Sequence, residues 1–224
     1  SNVRANTSAG QSIVTYTGNS TSGATVGHGL NAKPAFIIVK NRDSSEAWCV
    51  YIEALGATKY LFLNVNNGDS TSSALWNNTE PTASVFSLGN YNGTNNGDDF
   101  VAYCFAPVAG FSAFGTYTGN GSSDGPFVFT GMRPKWILIK HSSANGNNWI
   151  IYDTSRNTSN VAGKQLYPNL NAAEADATQA SHARLDILSN GFKLRGSHSS
   201  FNTNNETMIY AAFAEHPFKT ARAR

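Results

Sequence analysis

Five histidines, fourteen carboxylic acids and two cysteines are the side chains of this 224-residue sequence that bring acid–base, nucleophilic or metal chemistry with them. Hydrolysis needs a nucleophile beside a base, or two carboxylates held across a cleft, and no short-range arrangement here sets up either. The zinc-protease pattern His-Glu-x-x-His, a phosphate-cradling glycine loop and a Cys-x-x-Cys pair are missing. An active site would have to be assembled from distant loops. The expectation is a protein that is not an enzyme, with no catalytic residues, no cofactor and no metal. His28, in Val26-Gly27-His28-Gly29-Leu30, stands between two glycines ahead of a strand. A ligating or catalytic histidine would suit that loop. The matching place later in the chain is Thr130-Gly131-Met132, so His28 is read as a turn residue. Asp98-Asp99 looks like a fragment of a calcium loop, yet a hard cation asks for about six to eight oxygens and nothing adjacent completes the set.

Aromatic side chains offer another route to a ligand. Trp76 and Tyr91 sit in polar stretches rich in Asn and Thr, a setting that suits stacking on a sugar or contact with a partner, and they are the candidate ligand-binding residues. The alternative is a loop aromatic folded back onto the core. If Trp76 is a contact residue, Trp76→Ala should weaken adhesion and leave the melting temperature nearly unchanged. Trp48 and Trp149 recur at matching positions, as do Tyr51 and Tyr152, and recurrence marks packing anchors. Lys40 and Lys140 each end an apolar strand and are expected at its solvent exit. Cys49 and Cys104 follow Trp48 and Tyr103 in strand-like runs and read as two buried thiols, with a disulfide as the alternative. Seven Asn-x-Ser/Thr sites, at Asn6, Asn19, Asn77, Asn92, Asn120, Asn157 and Asn205, are expected by chance in so Asn- and Thr-rich a chain.

The elements that must carry these residues come in two sets. Thr15-Tyr16-Thr17-Gly18-Asn19 returns as Thr116-Tyr117-Thr118-Gly119-Asn120, and Phe36-Ile37-Ile38-Val39-Lys40 returns as Trp136-Ile137-Leu138-Ile139-Lys140. Leu63-Asn64-Val65-Asn66 answers Pro168-Asn169-Leu170-Asn171, and Phe100-Val101-Ala102-Tyr103-Cys104-Phe105-Ala106 answers Met208-Ile209-Tyr210-Ala211-Ala212-Phe213-Ala214. Such self-similarity means two copies of one design. Short apolar runs rich in Val, Ile, Phe, Tyr and Trp predict strands near 12–17, 35–41, 47–53, 59–64, 84–88 and 99–106, then near 113–118, 126–130, 135–141, 148–153, 185–188, 191–195 and 207–214. Asn67-Gly68, Asn92-Gly93, Asn96-Gly97, Asn120-Gly121, Asn145-Gly146 and Asn190-Gly191 supply turns that accept positive φ. One helix is expected from Asn171 to Ala183, with Asn171 as cap and Glu174 in its first turn, while 66–82 reads as a long loop. The expected fold is all-β: two tandem homologous antiparallel β-sandwich domains of jelly-roll or lectin-like type, 1–109 and 110–224, joined by a minimal linker.

Composition narrows the partners. Charged residues make up 13% of the chain, half the usual value of about 25%, and the formal charge is +2. Scattered single charges make no track for phosphates, so nucleic-acid binding is not expected, and Lys219, Arg222 and Arg224 read as a solvated tail. No apolar run reaches the roughly 20 residues that span a bilayer, so membrane insertion is not expected and the protein should be soluble. The N-terminus lacks signal-peptide character, and a chain opening at Ser1 without Met is expected to be processed or cut from a longer one.

Several segments together are similar to a family of tailed-bacteriophage virion proteins. They are Ser12-Ile13-Val14-Thr15-Tyr16-Thr17-Gly18-Asn19, Val26-Gly27-His28-Gly29-Leu30, Ile37-Ile38-Val39-Lys40-Asn41-Arg42, Tyr117-Thr118-Gly119-Asn120-Gly121, Leu188-Ser189-Asn190-Gly191-Phe192-Lys193-Leu194-Arg195 and Ile209-Tyr210-Ala211-Ala212-Phe213-Ala214-Glu215-His216-Pro217-Phe218-Lys219. The likeness runs from about residue 3 to the end of the chain. It implies a C-terminal part of a tail-fibre or other structural protein, located in the virion, with a lectin-like sandwich fold and no catalytic residues. Implied partners are other virion proteins, further copies of the chain in a homo-oligomer, with a trimer as the family-based expectation, and a host surface glycan. A capsid-decoration or fibre-spacer module without a ligand is the alternative reading, and a glycan-degrading enzyme a third.

Overall fold

The computed structural model of the protein describes residues 1–177 and 182–216. It is an all-β molecule whose named strand pairs are all antiparallel. The chain divides into two compact units. Unit 1 comprises Ser1–Asn64 and Asp69–Val108; unit 2 comprises Val65–Gly68 and the chain from Ala109 onward.

Unit 1 contains β1 (Asn2–Asn6), β2 (Gln11–Thr17), β3 (Ala24–Gly27), β4 (Phe36–Asn41), β5 (Cys49–Ile52), β6 (Lys59–Phe62), β7 (Ser70–Thr71), β8 (Val85–Leu88) and β9 (Asp99–Phe105). Seven of these form a sheet in the order β1-β2-β9-β4-β5-β6-β7, while β3 pairs with β8. Alternation along β9 explains its place between β2 and β4. Phe100, Ala102 and Cys104 are fully buried, and the residues between them lie half-buried on the other face. Those inward residues meet Val14, Tyr16, Ile37, Val39, Tyr51, Trp76 and Phe86 in one core.

Unit 2 contains β10 (Ser112–Thr118), β11 (Phe127–Phe129), β12 (Pro134–His141), β13 (Ile150–Asp153), β14 (Lys164–Gln165), β15 (Ala175–Asp176), β16 (Leu185–Leu188), β17 (Gly191–Leu194) and β18 (Thr207–Ala214). Its main sheet runs β10-β18-β12-β13, the same arrangement as β2-β9-β4-β5 in unit 1. A second sheet runs β11-β17-β16, and β14 pairs with β15. Ile137, Ile139, Tyr152, Phe192, Phe201 and Met208 lie in its core.

Among the described residues, helix is confined to single turns. In α1 (Ser73–Trp76) the Ser72 side chain accepts from the Ala74 N–H at 3.1 Å, and Asn77 ends the turn in the left-handed region. The second, α2 (Ser199–Asn202), is capped by His198, which accepts from the Ser200 N–H. The helix expected from Asn171 does not form over 171–177. Its apolar content is only alanine, too little to hold an amphipathic helix, and Ala175–Asp176 pairs instead with Lys164–Gln165. Glu174, read as a first-turn acid, faces Arg156 and Lys164, each at 3.6 Å. Residues 178–181 of that segment, and the cluster Lys219, Arg222 and Arg224, lie outside the described residues. The stretch read as one long loop, 66–82, holds part of the Val65–Gly68 strap, then β7 and α1. Of the six Asn-Gly turns, positive φ is taken by glycine at Gly121 and Gly146.

Candidate functional site

The repeated Tyr-Thr-Gly-Asn segment is where the two units match atom for atom. At the end of β2, the Tyr16 hydroxyl donates to the Thr94 carbonyl at 2.7 Å; at the end of β10, Tyr117 donates to the Phe201 carbonyl at 2.7 Å. Burial pushes both phenols well above their ordinary pKa, so both stay neutral donors. The glycine that follows must be glycine. A Cβ on Gly18 would lie 1.9 Å from the Asn96 carbonyl oxygen, and one on Gly119 would lie 2.2 Å from that of Thr203.

The partner of this segment is a buried asparagine that sequence reading did not single out. Asn95 Oδ1 accepts from the Asn19 N–H at 2.8 Å, while its Nδ2 donates to the carbonyls of Gly89 at 2.7 Å and Thr21 at 2.9 Å. Asn202 does the same: its Oδ1 accepts from the Asn120 N–H at 2.9 Å and its Nδ2 donates to the carbonyls of Ser122 at 2.7 Å and Gly196 at 2.9 Å. Both are at most 1% exposed. A primary amide has one acceptor and two donors in fixed relation, and here each function meets backbone. A further pair of bonds recurs: Trp48 N–H donates to Asn64 Oδ1 at 2.9 Å, and Trp149 N–H to Asn169 Oδ1 at 3.1 Å. Of the recurring aromatics, Tyr51, Tyr152 and Trp149 are core residues, whereas Trp48 is half-buried.

Trp76 is 2% exposed and meets Tyr51 edge-on, with ring centroids 5.9 Å apart. The loop composition that marked it as a sugar-stacking residue belongs to α1, whose one turn drives the indole into the core. It offers no face to a ligand. Tyr91 is half-buried, in a row with Phe62 and Tyr60 whose successive centroid separations are 6.2 and 5.0 Å. Burial, reinforced by nearby Cys49 and Glu46, pushes its phenol up to about 12.

The titratable residues singled out from sequence are mostly held inside. His28 is fully buried; the Leu30 N–H donates to its Nδ1, which leaves Nε2 to donate to the Thr82 carbonyl, both at 3.2 Å. Burial lowers its pKa and keeps it neutral. Cys49 and Cys104 are free and fully buried, and burial pushes the Cys104 thiol up to about 12. Lys40 is half-buried and reaches the Ser44 carbonyl at 2.8 Å. Lys140 is not at a solvent exit. It is 0% exposed, its ammonium donating to the carbonyls of Asn147 at 2.6 Å and Asn66 at 3.2 Å, and burial without a counter-charge lowers its pKa to about 8. The Val65–Gly68 strap, a part of unit 2, covers it.

Asp98 and Asp99 separate. The Asp98 carboxylate takes amide donors from Asn41 and Asn96, which hold its pKa down, and Asp99 accepts from the Thr17 hydroxyl at 2.8 Å. Among the described residues no group of three or more His, Cys, Asp or Glu is placed to hold a metal ion. Gly121-Ser122-Ser123-Asp124-Gly125 has the Gly-x-Ser-x-Gly spacing of a hydrolase elbow, a match that sequence reading passed over. It lies in a largely exposed loop that leads to β11 rather than into a helix, so it does not build the strained strand-to-helix turn such a nucleophile needs.

Part of the open concavity of unit 1 lies beside the Tyr16-Thr17-Gly18-Asn19 segment. Two adjoining grooves of about 290 Å³ each are lined by Thr17, Arg42 and Asp99 on one side and by Asn19 and Thr25 on the other. Hydroxyls, amides and one charge of each sign could bind a polyhydroxylated ligand. Backbone hydrogen bonds place Ser142 and Thr207 of unit 2 where unit 1 has Arg42 and Asp99, so the charged pair is not duplicated.

The chain matches, over residues 1–217, the family model described as Domain of unknown function (DUF7483). No curated protein and no solved structure matches it.

Proposed function

We propose, for a chain that belongs to the DUF7483 family, a non-catalytic structural role: two tandem lectin-like β-sandwich domains forming part of a tail fibre or similar appendage of a bacteriophage virion. One observation carries the reading. The polar residues that recur in both units, Tyr16 and Tyr117 with their asparagine partners, point inward and bond backbone. What the two copies share is therefore architecture rather than a solvent-facing site. The similarity of several segments to tailed-phage virion proteins supports a virion location, and homo-oligomerisation, as a trimer, is proposed with it. Immunogold electron microscopy of intact particles, with an antibody against this chain, tests the proposal: label on fibres supports it, label over the capsid replaces it with a decoration role, and unlabelled particles overturn it.

A second reading adds host-glycan binding at the unit 1 groove, favoured by the Arg42–Asp99 lining that unit 2 lacks. Glycan-array binding that disappears in Arg42→Ala and survives in a Tyr91→Ala chain supports the groove. The reverse pattern moves the site to the Tyr60–Phe62–Tyr91 row.

A further inference from the structure

We propose that Asn145 is a site of spontaneous deamidation: the glycine after it is exposed and open and its side-chain oxygen accepts a backbone N–H, without the carboxylate that holds Asn96 or the carbonyl that holds the glycine after Asn120. Asparagine followed by glycine loses ammonia when the glycine nitrogen attacks the side-chain carbonyl carbon. In this chain the Gly146 nitrogen bonds to Asn145 Cγ, the Cγ–Nδ2 bond breaks, and the departing nitrogen leaves as ammonia, taking up the Gly146 amide proton. Water then opens the five-membered imide at either carbonyl, giving aspartate or isoaspartate. The attack requires a glycine nitrogen with room to move and a carbonyl whose developing negative charge is stabilised.

Both conditions meet at Asn145. Asn145 and Gly146 are exposed, Gly146 sits at φ +82°, and nothing lies within 4 Å of where its Cβ would stand. The Gly68 N–H donates to Asn145 Oδ1 at 2.8 Å. A backbone N–H aimed at that oxygen polarises the carbonyl and stabilises the oxyanion of the tetrahedral intermediate, as donors do in acyl-transfer sites. The same bond protects Asn67, because the nitrogen that would attack it, Gly68, is buried and engaged with Asn145.

The remaining pairs are blocked for visible reasons. Asn120 Oδ1 also accepts N–H donors, from Ser122 and Asn202, but the nitrogen that would attack it is not free, because the Gly121 N–H is held by the Asn202 carbonyl at 2.9 Å. Asn96 also has an open, exposed glycine after it and an N–H, that of Asp98, on its Oδ1, but the Asp98 carboxylate holds its Nδ2 at 2.7 Å and opposes a neighbouring oxyanion. Gly93 is buried against the Tyr91 ring and the Cys49 sulfur, and Gly191 lies buried in β17 with the Val128 carbonyl 2.1 Å from its Cβ position.

Peptide mass spectrometry of the whole folded chain, aged in mildly alkaline buffer, reads the rates: the tryptic peptide 141–156 holds Asn145 as its one Asn-Gly pair, and tandem fragmentation of chymotryptic peptides separates Asn67, Asn96 and Asn120, which share one tryptic peptide. Conversion at Asn145 should be severalfold faster than at Asn67, Asn96 or Asn120, and the spread should collapse when the chain is aged in urea. Conversion at Asn67, Asn96 or Asn120 as fast as at Asn145 overturns the proposal, as does an equal spread in urea. In Asn145→Gln, whose longer side chain closes its ring far more slowly, the first isoaspartate to form should vanish; its persistence at the parent rate overturns the assignment.

Discussion

At the scale of single residues, the two buried asparagines and Trp76 decide more than any titratable group. Replacing Asn95 with Asp keeps the shape and the acceptor but loses both donors, leaving the Gly89 and Thr21 carbonyls facing a carboxylate. Each buried polar group left unsatisfied costs about 1–3 kcal/mol, so urea denaturation should show Asn95→Asp, and likewise Asn202→Asp, destabilised by at least about 2 kcal/mol. An unchanged midpoint would mean that water takes over those bonds. Trp76→Ala removes a fully buried indole and should cost about 3–5 kcal/mol, not the near-neutral change expected of a surface contact. Neither residue type was legible in the sequence. Asparagine is so common in the turns of this chain that Asn95 and Asn202 look like any other, and only their hydrogen bonds distinguish them. The polar neighbours of Trp76 leave both contact and fold-back open, and the single helical turn that points it inward, the fold-back alternative, carries no sequence signal of its own.

At the scale of elements, the longer apolar strands were legible, whereas β1, β3, the two-residue strands and the short helices were not. Alternation such as that of Asp99–Phe105 predicts a half-buried strand directly, and runs such as Trp136–Lys140 predict a buried one. β1 escaped notice because all its residues are exposed and its order derives from pairing with β2 alone. β14 and β15 are two residues long, too short for any periodicity. Glycine at the turn after β2 and β10 is the element-level requirement that the repeat did announce. Gly119→Ala would drive a methyl against the Thr203 carbonyl and must shift the loop between α2 and β18. The expected outcome is loss of the cooperative transition of unit 2, seen as loss of amide-exchange protection in β10 and β18. A variant with native protection there would mean that the loop yields freely.

At the scale of the whole molecule, pH acts through buried groups whose titration no sequence motif marks. His28 and His141 have native pKa values lowered by burial, below 6.5 for the unfolded chain. The unfolded chain therefore binds these protons more readily, and their contribution is complete above 6.5 and lost as pH falls below it. Melting temperature should fall on acidification through this range, and His28→Gln should flatten part of that limb while lowering stability at neutrality. Lys140 works on the alkaline side. With a native value of about 8 against 10.5 unfolded, the cost of burying its charge is present in full below about 8, and stability rises as pH climbs from there. Buried Tyr16, Tyr117 and Tyr152, whose pKa values are raised, oppose the rise above 10.0. Lys140→Met should abolish the alkaline gain in melting temperature; a gain that persists would assign it to another group.

The Val65–Gly68 strap makes unit 2 a discontinuous folding unit, assembled from chain on both sides of unit 1's second half. A fragment started at Ala109, where the repeat invites the cut, would leave one of the two carbonyls around the Lys140 ammonium behind, together with the donor to Asn145. Such a fragment should be less stable than the same unit in the whole protein, and a synthetic peptide spanning 64–69 should restore part of the difference. The place where the repeat begins again is thus the wrong place for scissors, because four residues of one copy are a spare part of the other.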